Sequence, residues 1–505
     1  MAEVLKEIAP KAVRLCAATG IAGLDDVLHG GLAVNHVYLV EGVPGSGKTT
    51  LALQYLIEGA RLGESVLYVT LSETEEELRA VAASHHLSLD GVHIHEPSPA
   101  SAMPEDEAYT MFHPSEVELS QTTENILAEV ERVKPARVVL DSLSEVRLLA
   151  GSPLRYRRQV LSLKRYFVGR KCTVLLLDDL TAIERDLQVQ SIVHGVILLE
   201  QMNPEYGADR RRLRVVKYRG TSFRGGFHDY TVRTGGLEVF PRLVAAEYRG
   251  DGAGLQLQTG IVALDRLLGG GIERGTSTLL VGAPGSGKST LSSQFVYAAL
   301  ERGENAAMFI FDESSHTLLT RAKGLGMDLG KHLESGRLTI QPVEPAELTP
   351  GEFAHAIRRA VEVDHASIVV IDSLNGYLNA MPNERFLSIQ LHELLSYLGQ
   401  LGVATVVVAA QHGLLGLQMI TPVDATYLAD TAIVLRYFEA FGEVRQAISV
   451  IKKRGGEHER TIREFRLDRD GIRIGEPLRD FHGVLTGVPT YSGNDSGLMR
   501  PDSTK

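Results

Sequence analysis

Short runs of consecutive apolar residues alternate along this chain with longer stretches in which apolar positions recur at helical spacing. The runs include VYLVEG at 37–42, VLYVTLSE at 66–73 and ARVVLD at 136–141, then STLLVG at 277–282, AAMFIFDE at 306–313 and SIVVID at 367–372, with the second and fifth read as strands that end in the acids Glu73 and Glu313. An unbroken apolar run of this length suits a strand buried on both faces, and the periodic stretches suit amphipathic helices laid over it. The pattern predicts an α/β fold with mostly parallel sheets, each doubly covered by helices. It also repeats. TGIAGLDDVLHGGL at 19–32 is answered by TGIVALDRLLGGGI at 259–272, an offset of 240 residues, and most of the apolar runs recur in the same order. Two tandem domains follow, with PRLVAAEYRGDGAGLQLQ at 241–258 as the linker. We place the first domain at 1–245, the second at 246–475 and a C-terminal loop and flexible tail at 476–505.

Composition narrows the class without changing this picture. The chain has 505 residues, enough for two cores, and its 44% apolar and 23% charged residues are those of an ordinary globular protein. No apolar stretch reaches membrane-spanning length, and MAEVLKEIAPKAVRLC at 1–16 lacks the apolar centre of a secretory signal, so a cytoplasmic protein is expected. Cys16 and Cys172 stand in unrelated settings, which argues against disulfides and a zinc site. A net charge of −11 gives no electrostatic footprint for nucleic acid. The basic run RRRLRVVKYRGTSFR at 210–224 is the sole feature favouring a DNA-acting motor.

The chemistry lies at the ends of the apolar runs. GVPGSGKTT at 42–50 and GAPGSGKST at 282–290 both satisfy the phosphate-loop pattern G-x-x-x-x-G-K-[ST], each between a strand and a helical pattern. Backbone N–H groups of such a loop close around phosphates, the lysine reaches the β/γ oxygens and the hydroxyl ligates Mg2+. The candidate ATP-binding residues are Gly45, Ser46, Gly47, Lys48, Thr49 and Thr50, and Gly285, Ser286, Gly287, Lys288, Ser289 and Thr290. Asp141 and Asp372 end strand-like runs, from which a carboxylate can reach the metal's water shell, so the metal set is Thr49 with Asp141 and Ser289 with Asp372. The alternative for each aspartate is a helix N-cap. Glu73 and Glu313, each 25 residues beyond its loop lysine, are candidates to orient or deprotonate an attacking water; the alternative is a glutamate in the first turn of the next helix. Lys217 with Arg219 and Lys452 with Arg454 recur in K-x-R-G motifs on late strands, where a pair could reach a neighbouring subunit's γ-phosphate; a solvated strand face is the alternative.

The two TGI..LD..L.GG segments, the paired phosphate loops, the K-x-R-G motifs and TIREF at 461–465 together resemble the KaiC family of circadian-clock ATPases and autokinases, from about residue 15 to 491. The resemblance implies two RecA-like P-loop domains, a double-tiered homohexamer with ATP and Mg2+ at subunit interfaces, and cationic fingers supplied by the neighbour. It implies an ATPase first tier and a second tier that phosphorylates adjacent Ser and Thr side chains. The matching positions here are Thr426 and Tyr427, with Thr421 as another hydroxyl. A phenol differs from a threonine hydroxyl in reach and acidity, so one site at Thr426 is expected rather than two. Where the family has two adjacent glutamates, this chain has Ser72–Glu73 and Asp312–Glu313, so Asp312 takes the place of the acid that deprotonates the acceptor hydroxyl. Leu325 stands where the family has an adenine-stacking tryptophan. The implied partners are a KaiB-like protein on the first tier and a KaiA-like protein at the tail. The tail YSGNDSGLMRPDSTK reads equally as a docking peptide and as a frayed end, so a KaiB-like or other signalling partner is expected at least as much as a KaiA-like one. An ATPase ring without autokinase activity is the competing reading, which Tyr427 and Asp312 favour.

Overall fold

In the computed structural model, residues 15–97, 114–180, 187–204, 207–248, 254–344, 346–379, 386–411, 427–469, 471–485 and 490–491 are described. The chain divides into two compact units, Met1–Arg242 and Leu243–Lys505. The strands of the first unit are β1 (Cys16–Ala17), β2 (Leu32–Ala33), β3 (Val37–Gly42), β4 (Val66–Thr70), β5 (Val92–His95), β6 (Arg137–Asp141), β7 (Thr173–Asp179), β8 (Gly195–Met202), β9 (Arg210–Tyr218), β10 (His228–Arg233) and β11 (Gly236–Phe240). Nine of them form one sheet in the order β11-β10-β9-β8-β3-β7-β6-β4-β5. From β5 across to β8 the pairing is parallel, and β9, β10 and β11 add an antiparallel edge.

The second unit carries β12 (Gln256–Leu257), β13 (Ile272–Glu273), β14 (Ser277–Gly282), β15 (Asn305–Ile310), β16 (Leu338–Pro342), β17 (Ala366–Asp372), β18 (Ala404–Ala410), β19 (Thr431–Ala440), β20 (Glu443–Lys453), β21 (Arg463–Asp468), β22 (Gly471–Pro477), β23 (Phe481–His482) and β24 (Thr490–Tyr491). Its nine-stranded sheet runs β16-β15-β17-β18-β14-β19-β20-β21-β22, the same plan as the first. The sequence expectation of two tandem, mostly parallel α/β domains of RecA-like type holds. No described helix is long and apolar enough to cross a membrane.

Each sheet has a core on both faces, which explains its unbroken apolar strands. In the first unit, Tyr38, Val40, Tyr68 and Val139 point to one cluster, while Leu39, Leu67, Val69 and Leu140 point to the other. The fully buried Arg137 is an exception that needs partners. It pairs with Glu64 and donates to the carbonyls of Ala18 and Tyr55 at 2.6 and 3.0 Å. Beyond β22, Leu478, Phe481 and Val484 pack with Phe438, Ala440 and Ala447 of the long β19–β20 hairpin.

Helix starts follow local chemistry. Thr74 and Glu77 make a reciprocal capping box at the helix Glu75–Ser84, and Ser314 accepts from Thr317 N–H at the equivalent helix Ser315–Gly324. Neither candidate glutamate is part of those helices, so the capping reading of Glu73 and Glu313 does not describe them. The sequence reading ran each strand on to its glutamate. The strands instead stop at Thr70 and Ile310, three residues short: the Leu71 and Phe311 N–H groups make the last ladder bonds, to the carbonyls of Asp141 and Asp372, and the chain then bends toward the helix.

Candidate active sites

At the C-terminal edge of each parallel sheet, the strand β3 or β14 passes into a glycine-rich turn and then into a helix, Lys48–Arg61 or Lys288–Glu301. Gly45 and Gly47 sit at φ of 80° and 89°, and Gly285 and Gly287 at 75° and 96°. Those left-handed angles strain any residue with a Cβ, so the glycines are a condition of the turn. The first N–H groups of each helix have no carbonyl partner within it, and they stand beside the loop as an anion-binding terminus. Lys48 is buried and donates to the carbonyls of Gly42 and Val43 at 3.0 Å each; Lys288 does the same to Gly282 and Ala283 at 2.9 and 2.8 Å. Burial lowers the Lys288 pKa. Thr50 and Thr290 are buried behind the loop, and the hydroxyls of Ser46 and Ser286 are buried with no partner among the described residues.

The acids converge on the same edge. Asp141 ends β6, one strand removed from β3, and accepts from the Thr49 hydroxyl at 3.2 Å and the Tyr68 hydroxyl at 2.5 Å. Burial raises its pKa, and the two hydroxyls counter that shift. Ser142 makes no side-chain cap at the following helix, and Asp141 faces Thr49, so the N-cap alternative does not describe it. Asp372 ends β17 in the same position. Its Oδ2 is buried with no hydrogen-bond partner among the described residues, and burial pushes its pKa up to about 6. The Ser289 hydroxyl partly offsets that rise, whereas Glu313 adds to it. A hydroxyl on the helix beside a strand-end carboxylate is the donor set a hard divalent cation takes, through oxygen and with retained water.

Glu73 is half-buried and its pKa is raised, first by burial and then by Asp141, Glu77 and Asp179. Its Oε2 is buried without a partner among the described residues. A carboxylate in that setting can take a proton from water. Glu313, by contrast, makes a two-pronged ion pair with Arg321, 2.5 and 2.8 Å. Asp312 accepts from the Ser373 hydroxyl at 2.5 Å.

Lys217 and Arg219 lie away from their own phosphate loop, at the opposite end of the sheet. The Lys217 ammonium donates to the carbonyls of Gln190 and Val193 at 2.6 and 2.8 Å, and Arg219 to Ser191 at 2.8 Å. Burial, Arg219 and Lys164 lower the Lys217 pKa. Lys452 donates to Ala429 O at 2.7 Å, and Arg454 to Tyr427 O at 2.9 Å and to Asp430 at 3.3 Å. In each motif the second cation lies just past its strand, which ends at Tyr218 or Lys453. Thr421 and Thr426 lie outside the described residues; Tyr427 is exposed. Leu325 is half-buried against the second unit's core. The basic run is committed internally: Arg212 pairs with Glu200 at 2.8 Å and stacks with Arg214 on Phe227.

Sequence reasoning missed three site neighbours. Tyr68 tethers Asp141, Asp179 pairs with Lys48 at 2.6 Å, and Arg321 holds Glu313. A signal existed in the repeat, because the residues 240 positions from Tyr68 and Arg321 are Met308 and Val81.

A family model described as the KaiC ATPase matches residues 17–244 and again 257–479. The chain is 28% identical over 484 residues to the circadian clock protein KaiC3 of a Synechocystis strain, covering 94% of both chains. It is 29% identical over 480 residues to the circadian clock oscillator protein KaiC of Synechococcus elongatus, covering 94% of this chain and 91% of that one.

Proposed function

Since this chain belongs to the KaiC family of ATPases, we propose that it hydrolyses Mg-ATP at both phosphate loops within a homohexamer and phosphorylates itself on Thr426, acting as a clock or signalling switch. The observation that carries the reading is the convergence, in each unit, of a buried loop lysine, a hydroxyl–aspartate pair and a glutamate on one sheet edge. In this scheme the loop N–H groups and Lys48 or Lys288 bind the phosphates, and Thr49 with Asp141, or Ser289 with Asp372, hold Mg2+. Bound there, the ion would supply positive charge against the negative charge developing on the phosphoryl oxygens. Glu73 takes the proton of the attacking water in the first site and Glu313 in the second. Asp312 accepts the Thr426 proton. Lys217, Arg219, Lys452 and Arg454 serve sites on neighbouring subunits, consistent with their distance from their own loops. A KaiB-like protein is the proposed partner, ahead of a KaiA-like one.

A second reading, an ATPase ring that does not phosphorylate itself, draws support from the engagement of Asp312 by Ser373. Incubation of the purified chain with ATP, followed by phosphosite mapping, separates the two. Phosphate on Thr426 is the expected result. Its absence from Thr426, Thr421 and Tyr427 together would remove the autokinase reading and leave the ATPase.

A further inference from the structure

The two candidate water-activating glutamates occupy matching positions, yet the chain fixes them by opposite ends. At the first site the backbone is stapled: the Thr70 hydroxyl donates to Glu73 O at 2.6 Å and accepts from Glu73 N–H at 3.1 Å. The carboxylate is left with one buried oxygen unpartnered among the described residues. At the second site the threonine is replaced by Ile310, which has no hydroxyl to do this. Here the carboxylate itself is held, both oxygens of Glu313 accepting from the Arg321 guanidinium on the helix Ser315–Gly324. The residue at Arg321's place in the first repeat is Val81, which is half-buried against the apolar core.

We propose that Arg321 is a positioning residue that restrains Glu313, so that turnover at the second site waits on opening of this ion pair while the first site carries no such brake. The inference rests on the proposed role of Glu313 as the water-activating base. A planar guanidinium that engages both carboxylate oxygens fixes their direction and uses the lone pairs that would receive a water proton. Both partners are mostly shielded, Arg321 at 31% and Glu313 at 18% side-chain exposure, so solvent screens the pair only partly. Arg321 also lies near enough to the strand-end Asp372 to favour its carboxylate form, which sets the guanidinium beside that acid rather than on a remote surface. The two tiers would thus differ in speed through a residue outside every motif they share.

The test uses the full-length chain carrying Glu73→Gln, so that ATP turnover reports the second site, with the residual rate of Glu73→Gln/Glu313→Gln subtracted. Arg321→Val, which installs the first repeat's side chain, should raise kcat about tenfold with KM changed less than about twofold, the scale of one charged hydrogen bond lost. Arg321→Lys keeps the charge without the two-pronged geometry and should fall between. A kcat for Arg321→Val equal to or below that of the parent overturns the proposal. If Glu313→Gln leaves turnover unchanged in this background, the base assignment itself falls; if Glu313→Gln abolishes turnover and Arg321→Val changes nothing, only the brake does. The mirror variant Val81→Arg, in a Glu313→Gln chain, should slow the first site about tenfold and supplies the answer if Arg321→Val does not fold. An unchanged first-site rate with Val81→Arg counts against the proposal.

Discussion

Replacing Tyr68 by Phe removes one oxygen and leaves the ring, fully buried on β4, in place. That oxygen is the donor of the 2.5 Å hydrogen bond to Asp141 Oδ2. A hydrogen bond to a charged group is worth about 1.5–3 kcal/mol, which corresponds to roughly a tenfold to hundredfold change in the ratio of carboxylate to acid. The protein contains its own control. At the second site Met308 stands where Tyr68 does, and Asp372, without such a donor, has a pKa pushed up to about 6. Loss of the Tyr68 hydroxyl therefore removes a contact that favours the ionised form of Asp141, against a burial that already favours the neutral one. The sign is fixed by that balance: the variant's Asp141 keeps its proton to higher pH, so the ionised, metal-binding form disappears earlier as pH falls. The assay is Mg2+-dependent ATP turnover from pH 5 to 8 in a Glu313→Gln chain with and without Tyr68→Phe. We expect the acid side of the profile to move to higher pH and the Mg2+ concentration for half-maximal rate to rise on the order of tenfold. An unchanged profile and Mg2+ dependence would refute the tether.

Two further predictions concern stability. Asp372 is the opposite of a stabilising carboxylate: its folded pKa of about 6 exceeds its ordinary 3.8, so the nucleotide-free fold gains stability as pH falls through 6 toward 4 and loses it above. Asp372→Asn should stabilise the nucleotide-free chain at pH 7 by up to about 3 kcal/mol in its domain, read as a higher melting temperature, and converge with the parent near pH 4; equal melting at pH 7 would count against the burial argument. Gly59→Ala places a Cβ 2.7 Å from Arg137 Cδ and Nε and 2.8 Å from Val66 Cγ1. Arg137 is held by Glu64 and two carbonyls and cannot retreat cheaply, so overpacking of about 1–3 kcal/mol should outweigh the better helix propensity of alanine. A thermal melt at or above the parent's would show that the guanidinium gives way.

The sequence by itself determined the two sheets, because unbroken apolar runs such as VYLVEG and SIVVID must be covered on both faces and their repeated order imposes one plan twice. It also determined the phosphate loops, since left-handed angles at Gly47 and Gly287 leave few other residues possible there. Strand-end placement of Asp141 and Asp372 was legible because each apolar run breaks off at its carboxylate. The state of each acid was not legible. Whether a carboxylate is tethered, paired or bare depends on which side chains from other strands and helices reach it, and those partners are distant or unpatterned in sequence. Tyr68 meets Asp141 across 73 positions, and Arg321 meets Glu313 by projecting back along a helix. Asp179 meets Lys48 only because β7 lies beside β3. Spacing fixes which backbone ends arrive at the sheet edge; tertiary packing decides how each acid that arrives there is charged, held and free to act.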